Sequence, residues 1–178
     1  MKSCCFTGHR IIAEEEMENV ANAISYEVKN TIEQGYQHFI SGFAEGGDLL
    51  FAEDVAYAIK RDSTIHLHAA LPNPARERAL RKNSETRELL ELCDTIYIAT
   101  EKSHPGMYAK RNTYMVEHSQ RVMALYDGRK SGGTAFTVQL AKKLKRDLYV
   151  IPYPPRMLED ENQMPCFSMH CPPQVERK

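Results

Sequence analysis

Hydrophobic and polar positions along the chain form two alternating kinds of segment. Short apolar runs rich in β-branched and aromatic residues predict strands, whereas longer stretches with apolar residues three and four positions apart predict helices. The predicted strands are 3–7, 38–41, 64–71, 95–99, 121–126 and 148–151. The predicted helices include 17–32, 49–59, a charge-rich segment at 76–92, and 136–144.

This alternation of strand and helix indicates the fold class. Several predicted strands, such as the runs MALY, YVI and IYIA, are almost continuously apolar, as is typical of strands covered on both faces. We therefore expect an α/β, Rossmann-like, doubly wound and mostly parallel sheet of about six strands with helices on both faces. Residues 1–152 are assigned to this domain. Residues 153–178 are predicted to be a proline-rich extension, because six of the nine prolines follow Ile151.

Composition and charge exclude several classes of protein. A chain of 178 residues that is 42% hydrophobic fits one globular domain. Its formal net charge of -1 argues against strong binding to nucleic acid or an anionic membrane through bulk attraction. No apolar run approaches the length of a membrane span, and no signal peptide is visible. Five cysteines without metal-type spacing favour free thiols and a cytoplasmic location.

Three glycine-rich loops follow predicted strands. Six of the nine glycines lie in segments 7–10, 41–48 and 131–134. The carboxyl ends of parallel strands meet at one edge of a sheet, where helix N-termini present free N–H groups and a positive dipole end. We therefore expect a pocket in which the N–H groups of 42–47 and 132–134 hold a phosphate. None of the loops matches the P-loop or the dinucleotide-binding pattern.

Each candidate binding residue has a structural alternative. Arg10 and Arg111 offer bidentate donors to a phosphate, or each forms a surface salt bridge. Asn112 orients a ligand or caps a helix that starts there, and Asp127 contacts an adenine or ribose or forms a turn with Gly128. The full set of expected ligand- or phosphate-binding residues is Thr7, Gly8, Arg10, Ser41, Gly42, Gly46, Gly47, Arg111, Asn112, Asp127, Gly132, Gly133 and Thr134.

Glu45 and Asp48 are the candidate catalytic carboxylates. One would contact a ribose hydroxyl and the other would act as acid or base, although Asp48 alternatively caps the helix that follows it. His66 and His68 share one face of a strand but have no third ligand nearby, and His9 is expected to be solvated. We therefore predict no metal site and identify no cofactor.

The loops and the segments around them resemble a known family. Thr7-Gly8-His9-Arg10, SGFAEGGDLLFAEDVAYA at 41–58 and RNTYMVEHSQRVMALYDGRKSGGTAFTVQLAKK at 111–143 resemble the YpsA-like family of the SLOG superfamily. The resemblance extends from the first strand to about Pro152. This superfamily includes the Lonely Guy phosphoribohydrolases and the DprA single-strand-DNA-binding proteins. The resemblance implies a Rossmann-like fold, a nucleotide or nucleotide-sugar ligand, a regulatory role in stress response or cell division, and a homodimer.

One departure from the superfamily bears on function. The Lonely Guy enzymes carry a Gly-Gly-x-Gly-Thr-x-x-Glu loop whose Glu takes part in cleavage, and Thr137 occupies that position here. A hydroxyl cannot supply the chemistry of a carboxylate. We therefore expect a binding protein for a nucleotide-derived, ADP-ribose-like molecule. The alternatives are an N-glycosidase or phosphoribohydrolase-type hydrolase that uses Glu45 or Asp48, and a regulatory protein that binds a partner through its tail.

Overall fold

The computed structural model describes residues 1–154, which form a six-stranded sheet with helices between the strands. The strands are β1 (Lys2–Thr7), β2 (Tyr36–Ser41), β3 (His66–Leu71), β4 (Cys93–Ile98), β5 (Arg121–Tyr126) and β6 (Asp147–Pro152). The helices are α1 (Met17–Glu33, after a 3-10 turn at Glu14–Glu16), α2 (Gly47–Ile59), α3 (Pro74–Leu80), α4 (Ser84–Glu91), α5 (Met107–Glu117) and α6 (Gly133–Lys143). From residue 155 onward, the predicted proline-rich extension lies outside the described residues.

The strand order produces a crevice beside β1. All neighbouring strands are parallel, in the order β4-β3-β2-β1-β5-β6. The chain first builds outward from β1 to β4 and then returns to place β5 on the other side of β1. Ligands bind at such a reversal in open parallel sheets, because the loops that leave the two central strands diverge there. The predicted fold class is confirmed.

Helices cover both faces of the sheet. On one face α1 to α4 pack on the sheet, and the buried rings of Phe6 and Phe51 stack with their centroids 4.9 Å apart. On the other face Met115 of α5 packs with Cys5 and Val122. Burial raises the pKa of the Cys5 thiol to about 12, so this cysteine is a protonated core residue at neutral pH.

The charge-rich segment at 76–92 forms two helices instead of the single one predicted. Asn73 accepts a hydrogen bond from Arg76 N at 2.9 Å and caps α3. Asn83 accepts one from Thr86 N at 3.1 Å and caps α4. Each Asn satisfies an N–H group that the first turn of a helix leaves unpaired, so the second cap divides the segment.

Three histidines form a cluster at the amino-terminal ends of β2 and β3. His38 Nδ1 lies 3.0 Å from His68 Nε2, and the His38 ring stacks on His66 at 4.7 Å. His66 Nδ1 lies 2.5 Å from Asp94 Oδ2, and His68 Nδ1 lies 2.9 Å from Thr95 Oγ1. Burial lowers the pKa of both His38 and His68, and the neighbouring histidines lower it further. One proton between His38 and His68 makes their hydrogen bond, whereas full protonation of both rings breaks it.

This cluster predicts that acid destabilises the fold. Because the pKa values of His38 and His68 are lower in the folded protein, the unfolded chain binds more protons as the pH falls through the ordinary histidine range. The free energy of unfolding should therefore decrease from about pH 7 to about pH 5. Urea unfolding at a series of pH values should show a smaller decrease for His38→Gln. His104→Gln, in an exposed loop, is the control, and equal decreases in all three proteins would contradict the assignment.

Candidate ligand-binding site

A groove crosses the carboxyl edge of the sheet. It consists of a larger cavity of about 520 Å³ over the ends of β1 and β5, and a smaller one of about 190 Å³ over the ends of β2 and β3. Both cavities are lined by Arg10, Ala44, Tyr108 and Arg111. The larger cavity is also lined by Thr7, Gly8, His9, Ile11, Asp48, Asn112, Arg129, Ser131, Gly132, Gly133 and Thr134. The smaller cavity is also lined by Gly42, Glu45, Pro72 and Arg76.

The structure brings the three glycine loops together, but four of the predicted residues do not line the groove. Ser41 is fully buried, and its hydroxyl donates to Asp48 O at 2.8 Å. Gly46 and Gly47 form the turn into α2, where Gly47 N donates to His9 O at 3.0 Å. Asp127 lies beside the groove and pairs with Arg129. Ser41, Gly46 and Gly47 therefore support the loops that form the groove and do not line it.

Asp48 is a buried carboxylate that joins two of the loops. It accepts hydrogen bonds from Gly8 N at 3.2 Å and Ala44 N at 3.4 Å. It does not cap α2, as one interpretation of the sequence had it, because α2 begins at Gly47 with Gly46 at the N-cap. Burial raises the pKa of Asp48, an effect that Arg111 and the two N–H groups oppose.

Arg111 extends from α5 to this carboxylate. Its Nη1 lies 3.4 Å from Asp48 Oδ2 and its side chain is only 6% exposed, so the alternative of a surface salt bridge is wrong. Burial lowers its pKa, and Asp48 opposes the shift. Gly42 provides the space, because a Cβ there would lie 1.3 Å from Arg111 Nη1. The loop after β2 therefore requires glycine at this position.

Asn112 and two threonines tie the third loop to the rest of the site. Asn112 lies inside α5 and does not cap a helix, as the sequence alternative had it; its Nδ2 donates to Gly133 O at 3.3 Å and Thr137 Oγ1 at 2.9 Å. Thr137 is fully buried, and its hydroxyl donates to Gly133 O at 2.9 Å. Thr134 donates through Oγ1 to Gly8 O at 3.1 Å. The start of α6 is thus fixed against both α5 and the loop after β1.

The backbone N–H groups of the two longer loops differ in availability. In the loop after β2, Phe43 N donates to Ser41 Oγ at 3.1 Å, and Ala44 N and Gly47 N also have acceptors within the protein. The expectation that 42–47 offers N–H groups to a phosphate is therefore wrong for these three. Among the described residues, the N–H groups of 132–134 have no acceptor, and the first turn of α6 carries no acidic residue.

Charged side chains surround the start of α6. Arg10 is exposed and its guanidinium lies 4.8 Å from the centroid of the Tyr108 ring. Arg129 Nη2 lies 2.6 Å from Asp127 Oδ2. The hydrogen bonds from Arg129 lower the pKa of Asp127 to about 2, so this carboxylate is ionised at neutral pH. Arg10 is thus left as the cation of the larger cavity without a carboxylate partner among the described residues.

His9 is buried, contrary to the expectation that it is solvated. Its ring packs on Tyr153 with the centroids 4.8 Å apart, and its Nε2 lies 3.6 Å from Asp127 Oδ1. Within residues 1–154 this nitrogen has no hydrogen-bond partner. Burial lowers the pKa of His9, which favours a neutral ring in the wall of the groove.

Sequence reasoning missed three residues of the smaller cavity. Arg76 entered the sequence analysis only as the first residue of a charge-rich predicted helix, yet its Nη2 donates to Phe43 O at 2.8 Å. Pro72 follows β3, and the Pro-Asn-Pro sequence at 72–74 could have marked a fourth loop at the same edge. No pattern in the sequence pointed to Tyr108.

Residues 1–154 contain no group of three His, Cys, Asp or Glu side chains placed to hold a metal ion. In the same part of the chain, no helix is both long enough and apolar enough to cross a membrane.

Glycine loops at the switch point of an all-parallel sheet place the chain in the class of Rossmann-like α/β proteins. Within that class, the family model described as YspA SLOG (YpsA) matches residues 7–154, so the chain belongs to this family. It is similar to the UPF0398 protein BH1768 of Halalkalibacterium halodurans, with 27% identity over 131 residues that cover 70% of this chain and 68% of the relative.

Two solved structures have a similar fold. DNA processing protein A from Helicobacter pylori, described as binding single-stranded DNA, aligns with a TM-score of 0.58 and 17% identity, over 89% of this chain and 67% of that one. TM1055, a structural genomics target, aligns with a TM-score of 0.53 and 14% identity, over 83% of this chain and 72% of that one. At these identities the likeness establishes the fold.

The fit between Gly42 and Arg111 predicts a large effect of one methyl group. In Gly42→Ala the new Cβ would collide with Nη1 and separate Arg111 from Asp48, leaving two buried charges unpaired. We expect a loss of about 3–5 kcal/mol in the free energy of unfolding. Chemical denaturation measures it. Gly133→Ala is the matched control because its Cβ would lie 3.7 Å from Asn112 Nδ2, and similar losses for both variants would contradict the prediction.

Proposed function

We propose that the groove binds a nucleotide-derived small molecule whose phosphate lies at the N-terminus of α6. The observation that carries this proposal is the unpaired state of the N–H groups of 132–134 among the described residues, at an open helix end that lines the larger cavity. The positive end of a helix dipole together with free N–H groups favours a phosphate. Arg10, on the wall of the same cavity, adds a full positive charge.

The rest of the larger cavity suits the organic part of a nucleotide. Its volume of about 520 Å³ falls in the range of small-molecule sites. Ile11 is 87% exposed and Tyr108 is 39% exposed, so both offer apolar surface to a base or ribose. The lining of this cavity also contains Asn112 and Asp48, whose side chains are held in place by bonds to Thr137 and Arg111. A mononucleotide or an ADP-ribose-like compound has the matching combination of charge and apolar surface.

Hydrolysis of such a nucleotide is the second candidate function, and the positions of the carboxylates favour binding over hydrolysis. Asp48 already accepts two backbone N–H groups and the Arg111 guanidinium. Glu45 is 73% exposed and faces Arg76 in the smaller cavity. The hydroxyl of Thr137 donates to Gly133 O within α6 and does not face the groove as a free group. Release of free base from a nucleoside monophosphate, followed by chromatography, tests the hydrolase alternative.

Single-stranded DNA is the ligand named for the Helicobacter pylori protein, and a small ligand fits this chain better. Proteins that bind single strands combine a basic groove along the backbone with a series of stacking aromatic rings. Here the net charge is -1, and within residues 1–154 Tyr108 is the one Phe, Tyr or Trp side chain that lines the groove. Titration with oligo-dT in parallel with mononucleotides distinguishes the two ligands. Tighter binding of the oligonucleotide would overturn the proposal.

Two substitutions at Gly133 test the position of the phosphate. Gly133→Asp places a carboxylate at the start of α6, where it repels a phosphate and occupies the N–H groups. The affinity of this variant for AMP, ADP and ADP-ribose should fall at least about tenfold. A carboxylate next to the bound phosphate should cost more than about 1.4 kcal/mol of binding free energy, which corresponds to that factor. Isothermal titration calorimetry measures the affinity, after thermal shift has identified which of the three binds.

Gly133→Ala is the matched variant for this experiment. Its Cβ would have ordinary contact with Asn112 Nδ2 at 3.7 Å, so the groove should keep its shape and most of its affinity. Asp is also a favourable residue in the first turn of a helix, so loss of folding is not expected in Gly133→Asp. Equal affinities in the wild-type protein and Gly133→Asp would place the phosphate elsewhere.

A further inference from the structure

The smaller cavity concentrates positive charge in a confined space. Three arginines line it, Arg10 from the loop after β1, Arg76 from α3 and Arg111 from α5. Among the described residues its one acidic lining residue is Glu45, and the charge of Arg111 is balanced separately by Asp48. The cavity therefore has an excess of positive charge, although the whole protein is close to neutral.

Arg76 is held in place while part of its guanidinium stays available. Nη2 donates to Phe43 O at 2.8 Å, which fixes the side chain against the loop after β2. Nη1 lies 3.5 Å from Glu45 Oε1, longer than the 2.7–2.9 Å of a strong charge-assisted bond. Glu45 is 73% exposed, so this ion pair contributes little and a ligand anion can displace it.

Arg111 adds a second positive charge in the wall that the two cavities share. Its Nε is buried and has no hydrogen-bond partner within residues 1–154. A buried N–H group of a guanidinium is costly to leave unpaired, since its interaction with water is lost. Gly42 lies against Nη1 of this guanidinium and Nε lies beneath the cavity surface, so Arg111 contributes its positive charge to the cavity.

The two cavities together suit an elongated ligand. The groove follows the ends of β3, β2, β1 and β5, which are neighbours in the sheet. Three intervals between adjacent strands correspond to about 14 Å. One end of this path is the open N-terminus of α6, and the other is the arginine-lined smaller cavity.

We propose that the smaller cavity is a second anion subsite, centred on Arg76, with Arg111 in the wall that the two cavities share. The ligand would then be a nucleotide with negatively charged groups at two separated positions, one at the start of α6 and one beside Arg76. Glu45 occupies the second position in the absence of ligand and competes for Arg76. This inference rests on the proposed function and specifies the chemical class of the ligand.

Three adenine nucleotides test the second subsite. AMP carries one phosphate, ADP carries two in one chain, and adenosine 3′,5′-bisphosphate carries two on separate positions of the ribose. We expect the wild-type protein to bind the bisphosphate at least about tenfold more tightly than AMP, the difference that one added charge-assisted contact provides. Isothermal titration calorimetry gives the ratio of the two dissociation constants, which is the measured quantity.

Substitutions on both sides of the ion pair should change this ratio in opposite directions. Arg76→Met should reduce the preference for the bisphosphate to within about threefold of AMP, whereas Glu45→Gln should increase it because the competing carboxylate is gone. Arg78→Met is the matched control, since Arg78 is on the same helix, is exposed and does not line the groove. If ADP, and not the bisphosphate, depends on Arg76, the assignment of a ligand with two separated charged groups is wrong.

The outcomes separate this inference from the function on which it rests. If AMP binds and Gly133→Asp removes its binding, but Arg76→Met changes the ratio no more than Arg78→Met does, the second subsite is wrong and the proposed function stands. If none of the three nucleotides binds the wild-type protein, both are wrong. An opposite response of Glu45→Gln also overturns the subsite, independently of any loss of folding in Arg76→Met.

Discussion

The buried ion pair between Asp48 and Arg111 holds the loops at the carboxyl edge of the sheet together. The carboxylate fixes the loops after β1 and β2 through two backbone N–H groups, and the guanidinium brings in α5. The next residue of α5, Asn112, then fixes the start of α6. Buried ion pairs are often no more stabilising than apolar residues of the same size. The value of this one is therefore geometric, because four segments that are distant in sequence take their relative positions from it.

The same arrangement explains how a nearly neutral protein presents a cationic groove. The N–H groups of the loop after β2 are used internally, by Ser41, Asp48 and His9, so that loop serves as a rigid wall. The N–H groups at the start of α6 are free of internal acceptors in the described part of the chain. Positive potential is thus placed by backbone orientation and a few arginines in a concave site, where electrostatic interactions are stronger than on an open surface.

The periodicity of apolar residues was sufficient to predict all six strands, the fold class and the common edge of the three glycine loops. The same periodicity did not predict which side chains pair between distant segments of the chain. Asp48 has the sequence position of a helix cap and Asn112 that of a helix start, but each bonds to a segment far along the chain. Arg76 lies in a run of alternating charges that is typical of a solvated face, and only the tertiary structure shows that it reaches Phe43 O. His9 was misplaced for the same reason, since its burial depends on Tyr153.

Gly42, Asp48 and Arg111 also constrain how this protein can diverge. Any side chain at position 42 meets the guanidinium, and loss of either charged residue leaves the other buried without its counterion. Substitution of one of these three residues alone should therefore give a poorly stable protein, so that tolerated changes require several positions to change together. The exposed residues of the groove, such as Arg10 and Glu45, have no such restriction. Substitutions at these exposed positions can therefore change the surface of the groove while the framework that positions the loops stays fixed.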